Sequence, residues 1–176
     1  MQNPFTLTFG KSPLELVERP LQTMEIVDTF TAETVNQQMF IITGVRGSGK
    51  TVMMTEIARR LREREDWVVI ELNPATDLLQ GMLAKLNSNK VCAAIIKSAK
   101  IDLSFFGFGV AIDGVPPLTD TETAIITILE KLKKQDKRLL ITIDEVTNND
   151  YMKVFAGSFQ IFVRQDLPVF LLATGL

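Results

Sequence analysis

The sequence contains no histidine and a single cysteine, Cys92. Without histidine the usual zinc constellations and every His-dependent catalytic triad are excluded, so any chemistry has to run on carboxylates, lysine or hydroxyls. One cysteine rules out an internal disulfide, and its apolar surroundings, Val91 to Ile96, mark it as a small buried hydrophobe. No stretch approaches the roughly 18 apolar residues of a membrane span. Met1 to Gly10 also lack the charged start and apolar block of a signal peptide, so no membrane partner is expected and a cytoplasmic location is the default. An excess of positive charge is missing as well. A net charge of −2 and a pI near 5.3 exclude a globally basic nucleic-acid scaffold. Arg59, Arg60, Arg62 and Arg64 do cluster, but charge on the outer face of a surface helix is the expected explanation, and nothing else indicates nucleic acid.

What is present suits one globular domain: 176 residues, 46% of them hydrophobic and 23% charged, enough to bury a core. Pro20 is suited to the first position of a helix, and Leu21, Met24, Val27 and Phe30 follow as an apolar stripe. Met39 to Thr43 reads as a strand stopped by Gly44, and Met54, Ile57, Ala58 and Leu61 mark one face of the next helix. Trp67 to Leu72 is a second strand ended by Asn73-Pro74, and Thr76 or Asp77 caps a helix running to about Leu86. Together these segments form a βαβ unit, residues 39–86, behind an N-terminal segment and helix, residues 1–38.

The pattern loosens over residues 87–118, which reads as an insertion with a short helix from Val91 to Ala99 and a small hairpin in "IDLSFFGFGVAIDG". In the last segment, residues 119–176, Thr119 and Glu122 have capping-box spacing, and Ala124, Ile125, Ile128, Leu129 and Leu132 form a helical face ending near Lys137. Leu139 to Ile143 is an all-apolar strand of the kind buried on both faces of a parallel sheet. Tyr151, Met152, Phe155, Phe159 and Phe162 make a further helical stripe, and Val169 to Gly175 a last strand. Strands alternating with helices predict a three-layer α/β domain with a mostly parallel sheet.

Two motifs carry chemistry. Gly44, Gly49, Lys50 and Thr51 match G-x-x-x-x-G-K-[ST] at every fixed position, with a strand before and a helix after. At ordinary residue frequencies such a match arises by chance in a chain this long about 1% of the time or less. Its glycines let backbone N–H groups turn inward at the positive end of a helix, an anion site that needs no side chain. Lys50 is expected to reach the outer phosphates and Thr51 to place its hydroxyl on Mg2+. The second motif, "LLITIDEV", Leu139 to Val146, puts Asp144 and Glu145 at the C-terminal end of a buried strand, where ligands of such sheets collect. Asp144 suits a metal ligand, and Glu145 a base that orients and deprotonates water.

On these residues the sequence resembles a known family. GVRGSGKT looks like a Walker A motif and LLITIDEV like a Walker B motif with the catalytic glutamate of the additional-strand P-loop NTPases, most similar to AAA-type and STAND-like bacterial and archaeal ATP-binding proteins. The resemblance runs from about Glu18 to the end of the chain. It implies ATP and Mg2+ as cofactors, with Gly44, Val45, Arg46, Gly47, Ser48, Gly49, Lys50, Thr51 and Val52 around the nucleotide and Thr51 and Asp144 on the metal. Lys50 and Glu145 would serve catalysis, and Thr174 matches the polar sensor residue at the tip of a central strand. The implied strand order, 5-1-4-3-2, places Val169 to Ala173 between the two Walker strands.

The family pattern also carries a fifth strand, a helical lid and a later arginine finger that this sequence does not include, so a longer protein is expected, with self-association or another protein engaged through the remainder. Without a fifth strand, Phe40 to Thr43 is expected to form an exposed apolar edge, for which Phe5 to Phe9 is a candidate cover. Three functions stay open: an ATPase releasing ADP and phosphate, a nucleotide-dependent switch with little hydrolysis, and, less favoured, a small-molecule kinase. The guanine-reading Asn-Lys-x-Asp pattern is absent.

Overall fold

The computed structural model describes residues 20–108 and 111–175. Four apolar runs, each bounded by Gly, Pro or charge, become the strands β1 (Met39–Thr43), β2 (Trp67–Leu72), β3 (Arg138–Ile143) and β4 (Val169–Gly175). All pair in parallel in the order β1-β4-β3-β2, so β4 is the central neighbour of both β1 and β3, as the family resemblance implied. Parallel pairing requires a crossover between strands; among the described residues the helix α1 (Pro20–Thr31) precedes the sheet, and the helices α2 (Lys50–Arg62), α3 (Leu78–Ser88), α4 (Lys90–Ser98), α5 (Thr121–Lys133) and α6 (Asp150–Arg164) lie in the crossovers. None is long and apolar enough to cross a membrane.

Strand alternation sorts the side chains into two cores. Leu140, Phe170, Leu172 and Trp67 face α1 and α2, where they meet Phe30, Ile57 and Leu61. Leu139, Ile141, Ile143, Leu171 and Ala173 face the opposite way, onto residues of α3 to α6 such as Met82, Ile128 and Phe159. The result is the expected three-layer arrangement. Each fully buried aliphatic or aromatic side chain contributes about 1.5–3 kcal/mol relative to exposure, and the two inner strands are the enclosed ones, with Leu139 to Ile143 of β3 and Val169 to Thr174 of β4 all buried. At the N-terminal end of β3, the Arg138 guanidinium donates to the carbonyls of Phe30 (2.6 Å) and Ala32 (3.1 Å) and lies over the rings of Trp67 and Phe170. It thereby fastens the end of α1 to the sheet.

Several local expectations are corrected. The stripe Leu21, Met24, Val27, Phe30 is not the buried face of α1: Leu21 and Met24 are exposed, and Thr23, Ile26 and Phe30 are buried. A strict three-residue repeat lags the helix by about 60° per step, which leaves Leu21 about 180° from Phe30. Tyr151, in the first turn of α6, is likewise exposed. The cap of α5 is Asp120, whose carboxylate accepts the Thr123 N–H at 2.7 Å, while Glu122 instead accepts the Ser158 hydroxyl of α6. That helix ends at Lys133 rather than Lys137, closed by the left-handed Asp136 and a Lys137 N–H bond to the Leu132 carbonyl.

No hairpin forms in the described part of residues 101–118. There the buried Asp102 carboxylate accepts the N–H groups of Ser104 (2.9 Å) and Ile112 (2.8 Å). One side chain therefore ties Ser104, at the start of a 3₁₀ turn, Ser104–Phe106, to Ile112, in place of strand pairing among the described residues. The Ser104 side chain, followed by the Ile112 and Ser104 N–H groups, holds the Asp102 carboxyl below the usual range. Helix α4 does form, one residue earlier than expected, capped by Asn89. Its Cys92 is fully buried and its thiol is pushed up to about 12 by burial, as an inert core residue.

The arginines of α2 behave as a solvated face, with Arg59 and Arg60 both closing on Glu56 and Arg59 also reaching Glu63, while beyond the helix Arg64 pairs with Asp66. Bonds from Arg59 and Arg60 hold the Glu56 carboxyl at about 2. Met39 and Ile41 of β1 are exposed, and β1 pairs on one side only, so the apolar edge is present among the described residues. Phe5 to Phe9 lies outside them.

Candidate nucleotide site

The C-terminal ends of β1, β3 and β4 carry every residue singled out as a site candidate. From β1 the chain turns at Gly44, whose φ of 154° belongs to glycine and where an added Cβ would stand 3.0 Å from the Ser48 hydroxyl. It closes at Gly49, the left-handed cap of α2 with φ 84°. No side chain caps that helix. The first bond of its ladder runs from the Met53 N–H to the Gly49 carbonyl at 3.0 Å, which leaves the N–H groups of Lys50, Thr51 and Val52 ahead of the ladder. Loop and helix start therefore combine unpaired donors with the positive end of a helix dipole.

Within this loop Ser48 N–H bonds the Val45 carbonyl at 3.2 Å, and Val45, Arg46 and Gly47 form its exposed crest. The Lys50 ammonium folds back over the loop and donates to the carbonyls of Gly44 (2.7 Å) and Val45 (3.1 Å). Val52, half-buried, begins the packed side of α2.

Opposite lies the acidic pair. Asp144 follows the last paired residue of β3, Ile143, whose partner on β4 is Ala173, so the next residues on each strand, Asp144 and Thr174, come face to face. The Thr51 hydroxyl donates its one proton to the Asp144 carboxylate, 3.0 Å from one oxygen and 3.2 Å from the other, across 93 positions of sequence. The Thr174 hydroxyl, on a fully buried residue, donates to Asp144 Oδ1. Glu145 is exposed and holds a left-handed backbone, φ 54°, unusual for a residue with a side chain. Its N–H is shared between the Thr174 hydroxyl (2.9 Å) and Asp144 Oδ1 (3.1 Å), and the next N–H, of Val146, bonds the Thr174 carbonyl at 2.8 Å.

The fold thus brings together Gly44 to Val52, Asp144, Glu145 and Thr174 on one rim. One contributor escaped the sequence reading. Asn149 caps α6 through Met152 N–H and also donates its amide to the Pro74 carbonyl at 2.8 Å, tying the end of β2 to the same rim. Its signal was present, an Asn three residues ahead of Met152, the first core-facing residue of α6.

A glycine loop between strand and helix, an acidic pair at the end of a neighbouring parallel strand, and a central β4 between them define a P-loop NTPase fold. Within that class the chain belongs to the family of ATPase domains found predominantly in Archaea, whose model matches residues 22–162. Among solved structures it is similar to Cdc6p from Pyrobaculum aerophilum, with a TM-score of 0.54 and 15% identity over 96% of this chain and 41% of that one. At this identity the likeness is one of fold, and the chain spans about two fifths of that chain's length, 41%. None of the curated proteins matches.

Proposed function

We propose that the chain is a Mg2+-dependent ATPase that hydrolyses ATP to ADP and phosphate, with Gly44 to Val52 holding the nucleotide and Asp144 and Glu145 serving metal and water. The observation that carries this reading is the Thr51 hydroxyl on the Asp144 carboxylate at 3.0 Å. It sets two hard oxygen groups from distant parts of the chain directly beside an anion cradle.

This donor set fits magnesium, which in phosphate sites is held by one or two protein oxygens together with phosphate and water. Bound there, the ion would supply charge neutralisation on the β- and γ-phosphate oxygens. For the phosphates, the N–H groups of Lys50, Thr51 and Val52 provide donors fixed by the backbone. Lys50 exchanges two neutral carbonyl acceptors for charged phosphate oxygens, an exchange that favours the nucleotide because charge-assisted bonds are about twice as strong. Glu145 orients the attacking water and takes its proton. Adenine as the base is supported by membership of the ATPase family, and an AAA-type or STAND-like role by the motif resemblance and the sheet order.

The test is a pair of variants. Lys50→Ala should weaken ATP binding about 10- to 100-fold, the equivalent of one charge-assisted hydrogen bond. Glu145→Gln should bind ATP as the parent does and release no phosphate. Tight binding by the lysine variant would remove the phosphate-loop assignment. A parent chain that binds ATP without releasing phosphate would leave the nucleotide-dependent switch in its place.

A further inference from the structure

We infer that Thr174 is a positioning residue: its hydroxyl is committed to the acidic turn, coupling the Asp144 carboxylate to the Glu145 backbone, and is not a donor to the nucleotide. The inference rests on the roles given above to Asp144 and Glu145, and deepens them.

A threonine hydroxyl has one proton to donate. Here that proton goes to Asp144 Oδ1, and an oxygen lone pair of the same hydroxyl accepts the Glu145 N–H at 2.9 Å. Thr174 is fully buried, at 0% exposure, and its β-branched side chain has restricted freedom about χ1, so the hydroxyl cannot readily turn to a second acceptor. Its main chain adds a third contact, the carbonyl that accepts the Val146 N–H at 2.8 Å. Two successive N–H groups of the turn are therefore held by one residue of the adjacent strand.

This latch explains the left-handed backbone of Glu145, φ 54°. A non-glycine residue persists in that region only where its surroundings over-determine it, and Thr174 supplies that determination from side chain and main chain at once. The same hydroxyl orients the carboxylate that also receives Thr51. Metal ligand and base are thus set by one side chain, through Asp144 and through the peptide of Glu145. A residue that bonded the phosphate directly would need its proton free.

The test uses Thr174→Val and Thr174→Ser with two readouts. In amide hydrogen exchange the valine variant should speed exchange at Glu145 about tenfold, the loss of one hydrogen bond, and leave Val146 unchanged because its acceptor is the backbone carbonyl. The serine variant should restore protection. In ATPase assays the valine variant should raise the Mg2+ needed for half-maximal rate about tenfold, with ATP affinity measured in EDTA unaltered and serine again restoring the parent behaviour. Equal loss of protection at Glu145 and Val146 would reveal a merely structural role and overturn the inference. So would an unchanged Mg2+ requirement with ATP binding in EDTA selectively weakened relative to ADP, the mark of a phosphate donor. A parent chain that neither binds nor hydrolyses ATP would sink the functional reading instead, while the exchange experiment would still decide the latch.

Discussion

Glu145 sets backbone comfort against chemistry, and the conflict is measurable by comparing Glu145→Gly with Glu145→Ala. Both remove the carboxylate; only one removes the steric penalty of φ 54°. That penalty for a residue with a Cβ is about 1–2 kcal/mol, and glycine returns about 0.5–1 kcal/mol of it through the greater freedom of its unfolded chain. The glycine variant should therefore be more stable than the alanine variant by about 1 kcal/mol, a factor of about five in the folded-to-unfolded ratio. Trp67, the one tryptophan of the chain, is buried at the opposite end of β2 from the turn and reports global unfolding without touching the site. Urea denaturation followed by its fluorescence should show a midpoint about 0.5 M higher for glycine at unchanged slope, taking a slope of about 2 kcal/mol per M. Neither variant should release phosphate. An alanine variant as stable as the glycine variant would refute the claim that the turn holds Glu145 in a costly conformation; an alanine variant that still turns over ATP would refute its role as base.

Three further outcomes are expected. Gly44→Ala places a Cβ 3.0 Å from the Ser48 hydroxyl at a φ of 154°, so ATP affinity should fall about tenfold or more, the equivalent of 1–2 kcal/mol of strain in the loop; an ATP titration showing parent affinity would contradict this. Arg138→Met keeps an apolar stem over Trp67 and Phe170 but deletes the bonds to Phe30 and Ala32, and should cost about 2 kcal/mol in the same urea assay; no change would mean that the end of α1 is fastened by apolar contacts alone. Asp102 has a folded-state carboxyl below its ordinary value, so its contribution to stability is present above the ordinary Asp range, about pH 4, and is lost as pH falls through the lower folded value. Asp102→Asn should flatten the acid limb of the stability curve, and an acid limb as steep as the parent's would show that the loop does not depend on that charge.

How much was legible in advance depended on the range of the forces involved. Each of the four strands is an apolar run in the sequence, β1 and β2 stopped by Gly44 and Asn73-Pro74, and the expected bounds of all four agree with the structure to within a residue. The phosphate loop was legible because its residues are contiguous and its geometry is local. Where the reading failed, the deciding contact came from elsewhere. The face of α1 depends on where the sheet lies, and Leu21 satisfied a local repeat while pointing away from it. The expected hairpin gave way to Asp102, whose carboxylate reaches forward ten positions to Ile112, and the pairing of Glu122 with Ser158 spans 36.

The sequence alone determined the class of chemistry, since glycine, lysine and threonine at fixed spacing build an anion cradle from local backbone, and an apolar strand ending in Asp-Glu places carboxylates at the C-terminal end of that strand. Only the tertiary structure decided how those groups engage each other. Thr51 reaches Asp144 across 93 residues and Thr174 reaches it across 30, distances closed solely because β4 lies between β1 and β3. Hydrogen bonds of this kind depend on the order and register of strands, which buried apolar surface sets collectively, so no local stretch of sequence records them.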